Sequence, residues 1–330
     1  MARRAGVSPM TVSRVINDSA LVSAGTRRRV EDAIGELGYV PSRLARGLSA
    51  RRTGTLAVIV PDVANPFFTL IVRGAEDVAR RAGYRVILCD TRGDLAMERE
   101  VIEEMLAHRV EGILIAPVND RSREHLQRLT AFNVPFVLVD RTVRGVDADT
   151  VLGDSADGAQ RLVEHLLSLG HRRVGMIVES DDVSTARDRR KGYETALQAA
   201  GLPVDPELVV RTSVDPAGGH DGMRRLLTLD EPPTAVFTVN NLVAVGAIEA
   251  VRGAGLEVPD DVALVCFDDI EYASRLYPFL TAMEQPAETF GTLSAQLLLE
   301  RIENRAPERS RVVVLPAQFV VRRSSGAAVA

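Results

Sequence analysis

Two sets of residues carry side chains whose types and spacing suit recognition rather than bond making. The first lies near the N-terminus. Behind the N-cap pair Ser8-Pro9, Val12, Val15 and Ile16 fall at helical spacing on one face, which leaves Pro9, Met10, Ser13, Arg14 and Asn17 on the other. An arginine on such a face is a planar fork that fits O6 and N7 of guanine, and it fits a phosphate as well. The second set is Asp62, Asn65, Phe67, Phe68, Asp94, Asp140 and Arg141, then Arg189, Asn240, Asn241, Asp268 and Gln285, several of them directly after an apolar run. Carboxylates, amides and arginines facing an aromatic pair suit a neutral polyhydroxyl ligand. Each hydroxyl bridges a donor and an acceptor while a ring covers the C–H side of the sugar. Phe67 and Phe68 also have a core reading, with one of the two packing inward.

Bond-making constellations are missing from the sequence. There is no G-x-x-x-x-G-K-[ST], and the single lysine, Lys191, stands between Arg190 and Gly192. Gly218-Gly219-His220-Asp221-Gly222 has the wrong spacing for a dinucleotide fingerprint, and G-x-S-x-G is absent. His108, His125, His165, His171 and His220 form no H-E-x-x-H and have no cysteine partners, so neither a metal nor a cofactor is expected. The carboxylate pairs Asp181-Asp182 and Asp260-Asp261 sit in turn-like segments and read as solvated or helix-capping, whereas Asp268 follows a core strand.

The elements that must position these residues change character along the chain. Residues 1–41 read as short helices, with a turn at Gly6-Val7, a helix from Pro9, and a further helix capped near Ser23 that buries Val30, Ile34 and Leu37 before Gly38 stops it. This is a helix-turn-helix plan, whose second helix enters the major groove, although small bundles without DNA partners share the pattern. Residues 42–54 are too short and too polar for a stable isolated helix and read as a hinge and linker. Residues 55–330 alternate helices with apolar runs at 55–60, 85–90, 112–116, 136–140, 174–178, 235–238 and 263–267, the texture of parallel, doubly buried strands. Four strands ending near Asp140 and a second set beginning near Val174 predict two α/β lobes. Ligands then sit beyond the carboxyl ends of the strands, in the cleft between lobes. Cys89 and Cys266 lie inside strand-like runs and read as reduced core thiols of a cytoplasmic protein. No apolar stretch is long enough to span a membrane.

Charge follows the same division. Residues 1–52 hold ten arginines and four acids, a balance of +6, which leaves −11 on the other 278 residues of a chain whose whole charge is −5. A basic head on an acidic body is a usual arrangement for meeting phosphate.

The segment Ala5-Gly6-Val7-Ser8-Pro9-Met10-Thr11-Val12-Ser13-Arg14-Val15-Ile16-Asn17 resembles the signature of the LacI/GalR family of bacterial transcriptional regulators. The likeness continues through Val22-Ser23, Thr26-Arg27, Leu37-Gly38-Tyr39-Val40-Pro41 and Ala45-Arg46-Gly47-Leu48. It then runs through Asn65-Pro66-Phe67-Phe68, Arg109-Val110-Glu111-Gly112, Leu169-Gly170-His171, Pro233-Thr234-Ala235, Cys266-Phe267-Asp268-Asp269-Ile270 and Glu284-Gln285-Pro286. The resemblance implies a small all-α helix-turn-helix head on a two-lobed periplasmic-binding-protein-like α/β core with parallel sheets. It also implies a homodimer, or a tetramer built from it, on a palindromic operator.

In such a protein Pro9, Met10 and Arg14 read base edges, while Thr11, Ser13, Asn17, Ser23 and Thr26 hold phosphates. Arg46 and Leu48 belong to a hinge that folds on DNA, with Leu48 wedged into the minor groove. Read without the resemblance, Leu44 and Leu48 are linker apolars packing on the core. Arg189 and Asp268 correspond to the family's effector-contacting arginine and aspartate, and a sugar is the expected effector. Two departures stand out. The family's usual Asn-Asp is Asn240-Asn241 here, and purine-binding relatives keep a nucleobase open. Family members also begin six or seven residues earlier, so either the start is placed too late or, with this start, the head is marginal. The competing class, a transporter's solute-binding protein, calls for an export signal and no basic head.

Overall fold

A computed structural model describes residues 1–16, 21–38 and 53–328. It divides into two compact units, Met1–Gly54 and Thr55–Ala330. The expected contacts Asn17, Arg46 and Leu48 lie outside the described residues.

In the first unit, α1 (Ala2–Ala5) is stopped by Gly6 in the left-handed region at φ +65°. The Ser8 hydroxyl accepts the Thr11 N–H at 3.1 Å and starts α2 (Pro9–Ile16). Ser23 caps α3 (Ala24–Glu36) in the same way, accepting from the Thr26 N–H at 3.4 Å. Ala5, Val12, Val15, Val30 and Ala33 form the core, with Ile16, Val22 and Ile34 packed at its margin. Leu37 departs from the expectation. It is the C-cap, 53% exposed, because the buried stripe ends at Ala33 and Ile34 and too little of the described head reaches it.

The second unit holds two six-stranded sheets. The first is built from β1 (Thr55–Val60), β2 (Arg85–Asp90), β3 (Gly112–Ile115), β4 (Phe136–Val139), β5 (Thr150–Gly153) and a late strand, β11 (Val312–Leu315). Their order is β11-β5-β4-β3-β1-β2, all parallel. The second sheet uses β6 (Val174–Val178), β7 (Val209–Arg211), β8 (Ala235–Thr238), β9 (Ala263–Phe267), β10 (Thr281–Glu284) and β12 (Gln318–Val320), in the order β12-β10-β9-β8-β6-β7. Only β12 runs antiparallel there. All seven expected strands are present.

The expected division into two consecutive halves is not. The chain passes between lobes three times, after Gly153, after Glu284 and after Leu315, so the first lobe is completed by the C-terminal region. Helix α12 (Ala287–Ile302) lies on α4 (Pro66–Arg81) and places Phe290, Leu298 and Leu299 in the first lobe's core beside Phe67 and Ile71. The two helices meet backbone to backbone. A Cβ on Gly74 would lie 2.0 Å from the Glu288 carbonyl, and one on Gly291 would lie 1.8 Å from the Ile71 carbonyl.

The thiols differ from each other. Cys266 is fully buried on β9, whereas Cys89 is half-buried on the edge strand β2, so only the former is a core thiol. Burial still pushes the Cys89 thiol up to about 11. Among the described residues, no helix is long and apolar enough to cross a membrane.

Candidate functional site

The carboxyl ends of the parallel strands in both sheets open on one cleft of about 510 Å³. Five of the expected residues line it: Asp62, Asn65, Phe68, Arg141 and Asn240. Three of the lining residues start α-helices with a side-chain cap, and Val183 starts α8 (Ser184–Ala199) without one. Asn65 caps α4, Asp215 caps α9 (Pro216–Leu227), and Asn240 caps α10 (Asn241–Gly253), each accepting a backbone N–H with its side chain.

Beneath the lining is a buried charged cluster that relates the two lobes. Asp140 follows β4 and Asp268 follows β9, equivalent positions in the two sheets. Both take the left-handed conformation, at φ +67° and +64°, which aspartate tolerates better than most residues. That twist lets each backbone N–H reach the neighbouring strand, Asp140 to Val151 at 2.8 Å and Asp268 to Met283 at 3.0 Å.

Arg189, from α8 (Ser184–Ala199), is 5% exposed and answers both carboxylates. Its Nη1 donates to the Val239 carbonyl at 2.8 Å, its Nη2 lies 3.8 Å from Asp268 Oδ2, and its guanidinium stands 3.9 Å from the Phe267 ring centre. Gln285 Nε2 donates to Asp268 Oδ1 at 2.6 Å. Burial pushes Asp268 up to about 6, against the pull of Arg189 and Gln285, while the Asp140 charge pushes the same way as burial. Asp140 is also raised by burial, with Arg141 and then Arg189 opposing. Arg189 Nε, Asn241 Oδ1 and Gln285 Oε1 are buried and have no hydrogen-bond partner. Buried polar atoms of that kind call for a partner from outside the chain.

The lobes also touch across the cleft. The Asp120 N–H donates to the Asp182 carbonyl at 2.9 Å, Arg187 Nη1 donates to Asp120 Oδ2 at 3.0 Å, and the Thr142 N–H donates to Ser184 Oγ at 2.9 Å. Asn241 Nδ2 lies 3.4 Å from Asn65 Oδ1. Fully buried Glu98 steadies the first-lobe loop below, accepting the Val118 N–H at 2.7 Å with one oxygen and meeting His125 Nδ1 at 2.7 Å with the other.

Two expectations about the cleft need correction. Asp94 is exposed and caps α5 (Leu95–Ala107) by accepting the Met97 N–H at 2.8 Å. The strand-end rule cannot tell a ligand-facing carboxylate from a cap, and Arg92 and Gly93 line the cleft instead. Phe67 packs into the first lobe against Phe290, 5.7 Å between ring centres, so Phe68 alone of the pair lines the cleft. Phe67 borders a second cavity of about 210 Å³, which Asp268 and Gln285 also reach.

Sequence reasoning missed Glu179, Ser180, Asp182, Thr212, Ser213 and Asp215, all lining the cleft. Glu179 and Ser180 stand directly after β6 and were within reach of the same rule. The others follow β7, only three residues long, or belong to Asp181-Asp182. Of that pair, Asp181 accepts from Arg190 and Arg211 rather than facing water alone. The pair Asp260-Asp261 stays in a turn, where Asp261 accepts the Glu257 N–H.

On the head, α2 buries Val12 and Val15 and exposes Pro9, Met10, Ser13 and Arg14. Met10 is 65% exposed, which is costly for an apolar side chain with no partner surface. The Thr11 hydroxyl lies 2.9 Å from that of Ser8, and the Ser23 hydroxyl donates to Thr26 Oγ1 at 3.0 Å, so both pairs fix helix starts.

Residues 1–42 match bacterial regulatory proteins of the lacI family, and residues 163–325 match a periplasmic binding protein-like domain. The chain is similar to the ribose operon repressor of Escherichia coli (strain K12), 37% identical over 318 residues and 96% of each protein. It is also similar to the HTH-type transcriptional repressor PurR of Haemophilus influenzae (strain PittEE), 36% identical over 331 residues, with 98% of this chain and 97% of that one covered. The crystal structure of the lac repressor dimer bound to operator and the anti-inducer ONPF superposes with a TM-score of 0.83 at 29% identity, covering 98% and 97% of the two chains. An exposed polar helix face on a three-helix head, a polar cleft between two parallel sheets and these end-to-end matches agree: the chain belongs to the lacI family of bacterial regulatory proteins, DNA-binding transcriptional repressors rather than enzymes.

Proposed function

We propose that this repressor acts in the cytoplasm as a homodimer on a palindromic operator, and that a small sugar in the interlobe cleft controls its grip on DNA. The observation that carries the reading is the buried cluster of Arg189, Asp268, Gln285 and Asn241. Its unpartnered donor and acceptors lie between lobes already in contact, a setting in which hydroxyls complete the hydrogen bonding. Ribose is the first sugar to try, since the similar E. coli protein is named for the ribose operon. A nucleobase fits less well, because among the described residues Phe68 is the only aromatic side chain lining the cleft, which gives one stacking wall and not two.

Pro9, Met10 and Arg14 read bases in this proposal, with Thr11, Ser13, Ser23 and Thr26 at the phosphates. Residues 42–54 serve as the hinge between head and body. Asp62, Asn65, Phe68, Asp140, Arg141, Arg189, Asn240, Asn241, Asp268 and Gln285 serve the effector. Control is by linkage: only a ligand that binds one lobe arrangement better than the other shifts operator affinity. A mobility-shift titration with DNA from upstream of the protein's own gene tests this. Specific binding that ribose alters is expected, and Arg189→Ala keeps the DNA shift while losing the ribose response. Specific binding that no sugar alters would remove the sugar from the proposal, and a normal response from Arg189→Ala would remove the cleft assignment.

A further inference from the structure

The charged groups around the cleft are unevenly matched. Asp62, Glu179, Asp182 and Asp215 line it against two guanidiniums, those of Arg92 and Arg141. Arg141 is committed through Nη1, while its Nε has no hydrogen-bond partner. Its Nη1 donates to the Val118 carbonyl at 3.0 Å and lies 3.3 Å from that of Pro117, and its guanidinium lies 3.5 Å from Asp140 Oδ2 and 3.9 Å from Glu179 Oε1. Arg189 below is held between two carboxylates and the Val239 carbonyl. Among the described residues, Arg92 is the one cation lining the cleft without such commitments, and it is exposed at the rim.

The buried polar atoms that lack a partner are of both kinds: Arg141 Nε and Arg189 Nε are donors, on guanidiniums that already lie against Asp140 and Asp268. Asp182 Oδ1, Asn241 Oδ1 and Gln285 Oε1 are acceptors. They ask for donors, which hydroxyls supply and a phosphate dianion does not.

One feature would favour an anion: four helices, each of at least twelve residues, begin at the cleft after Asn65, Val183, Asp215 and Asn240, and helix N-termini attract negative charge. Three of those N-termini are closed by a side chain of the protein itself, whereas α8 starts at Val183 with no side-chain cap. Asn65 Oδ1 takes the Phe67 N–H at 3.0 Å, Asp215 Oδ1 takes the Gly218 N–H at 2.7 Å, and Asn240 Oδ1 takes the Val243 N–H at 2.9 Å. Pro66 and Pro216 remove a further N–H from two of the three. One of the caps is itself a carboxylate.

Building on the sugar reading above, we propose that the cleft selects unphosphorylated sugars and rejects their phosphate esters, with Glu179 and Asp182 as specificity-determining residues. Asp182 is fixed in place through its carbonyl, which accepts the Asp120 N–H from the opposite lobe. Its carboxylate lines the cleft, and Oδ1 is buried there without a hydrogen-bond partner.

Isothermal titration of the full chain at pH 7.5 with D-ribose, D-xylose and D-glucose, each beside its terminal phosphate ester, separates the possibilities. The expected result is a free sugar that binds more than tenfold tighter than its own ester. An ester that binds within tenfold of its free sugar, or tighter, overturns the selectivity and leaves the sugar reading standing. No binding by any member of the panel overturns both. The same titration on Glu179→Gln and Asp182→Asn, checked for folding by circular dichroism, is expected to narrow the ratio between free sugar and ester. A ratio unchanged in both variants would remove these two residues from the assignment.

Discussion

At the scale of single residues the two recognition surfaces fail in different ways when damaged. Arg14 is exposed on the outer face of α2, where a bidentate contact to guanine carries sequence information. Arg14→Ala should lower discrimination between the operator and a variant with that base pair changed by about 1–3 kcal/mol, read by competition mobility shift. Equal loss on both DNAs would make Arg14 a phosphate contact instead.

Asp268, raised by burial to about 6, gives the cleft a pH dependence whose sign can be worked out. A ligand hydroxyl donating to its carboxylate favours the charged form, so binding releases a proton and affinity climbs as pH rises through about 6. Between pH 6 and 5 the affinity falls by about fivefold. Titrations in buffers of different ionisation enthalpy would show the released proton, and a flat profile from pH 5 to 7 would separate ligand binding from Asp268. Without ligand the sign is reversed. The folded-state value lies above the ordinary 3.8, so this group's contribution to stability is fully present below 3.8 and is lost as pH rises through about 6.

At the scale of elements, the contact of α4 with α12 decides how the first lobe is closed. A glycine-to-alanine change inside a helix ordinarily stabilises it by about 1 kcal/mol. At Gly291 the new methyl would sit 1.8 Å from the Ile71 carbonyl, so the helices must separate. Gly291→Ala is expected to destabilise by about 1–3 kcal/mol in urea unfolding, and a gain in stability would show that the helices part easily.

This region also marks where the sequence is readable and where it is not. The core strands β1, β3, β4, β6, β8 and β9 declare themselves because burial on both faces makes them continuous apolar runs. Strands β7 and β12 have three residues each, and β11 alternates exposed and half-buried positions at a sheet edge, so none shows that run. The site was legible where a polar residue follows a long strand, as at Asp62, Asp140 and Asp268. It was obscured where a carboxylate has two physical uses, as the cap Asp94 and the cleft residue Asp182 show from opposite sides.

At the scale of the whole molecule, charge and function are divided alike. The +6 of residues 1–52 and the −11 of the remainder place attraction for DNA at one end of each chain and repulsion along the rest. Operator affinity should therefore depend steeply on salt. With six to ten phosphate contacts it falls by about 10³–10⁵ between 50 and 200 mM salt. Measured by mobility shift over that range, a loss below tenfold would mean that few of the arginines touch phosphate.

The three passages between lobes have a consequence for how the protein is made. Phe290, Leu298 and Leu299 reach the first lobe's core only on α12, and its outermost strand, β11, comes later still. A ribosome that has delivered the first 286 residues has therefore released nearly all of a second lobe and a first lobe whose apolar interior is still open to water. The part of the body synthesised earliest is sealed among the last, and a premature stop before α12 strips the lobe that leaves the ribosome first.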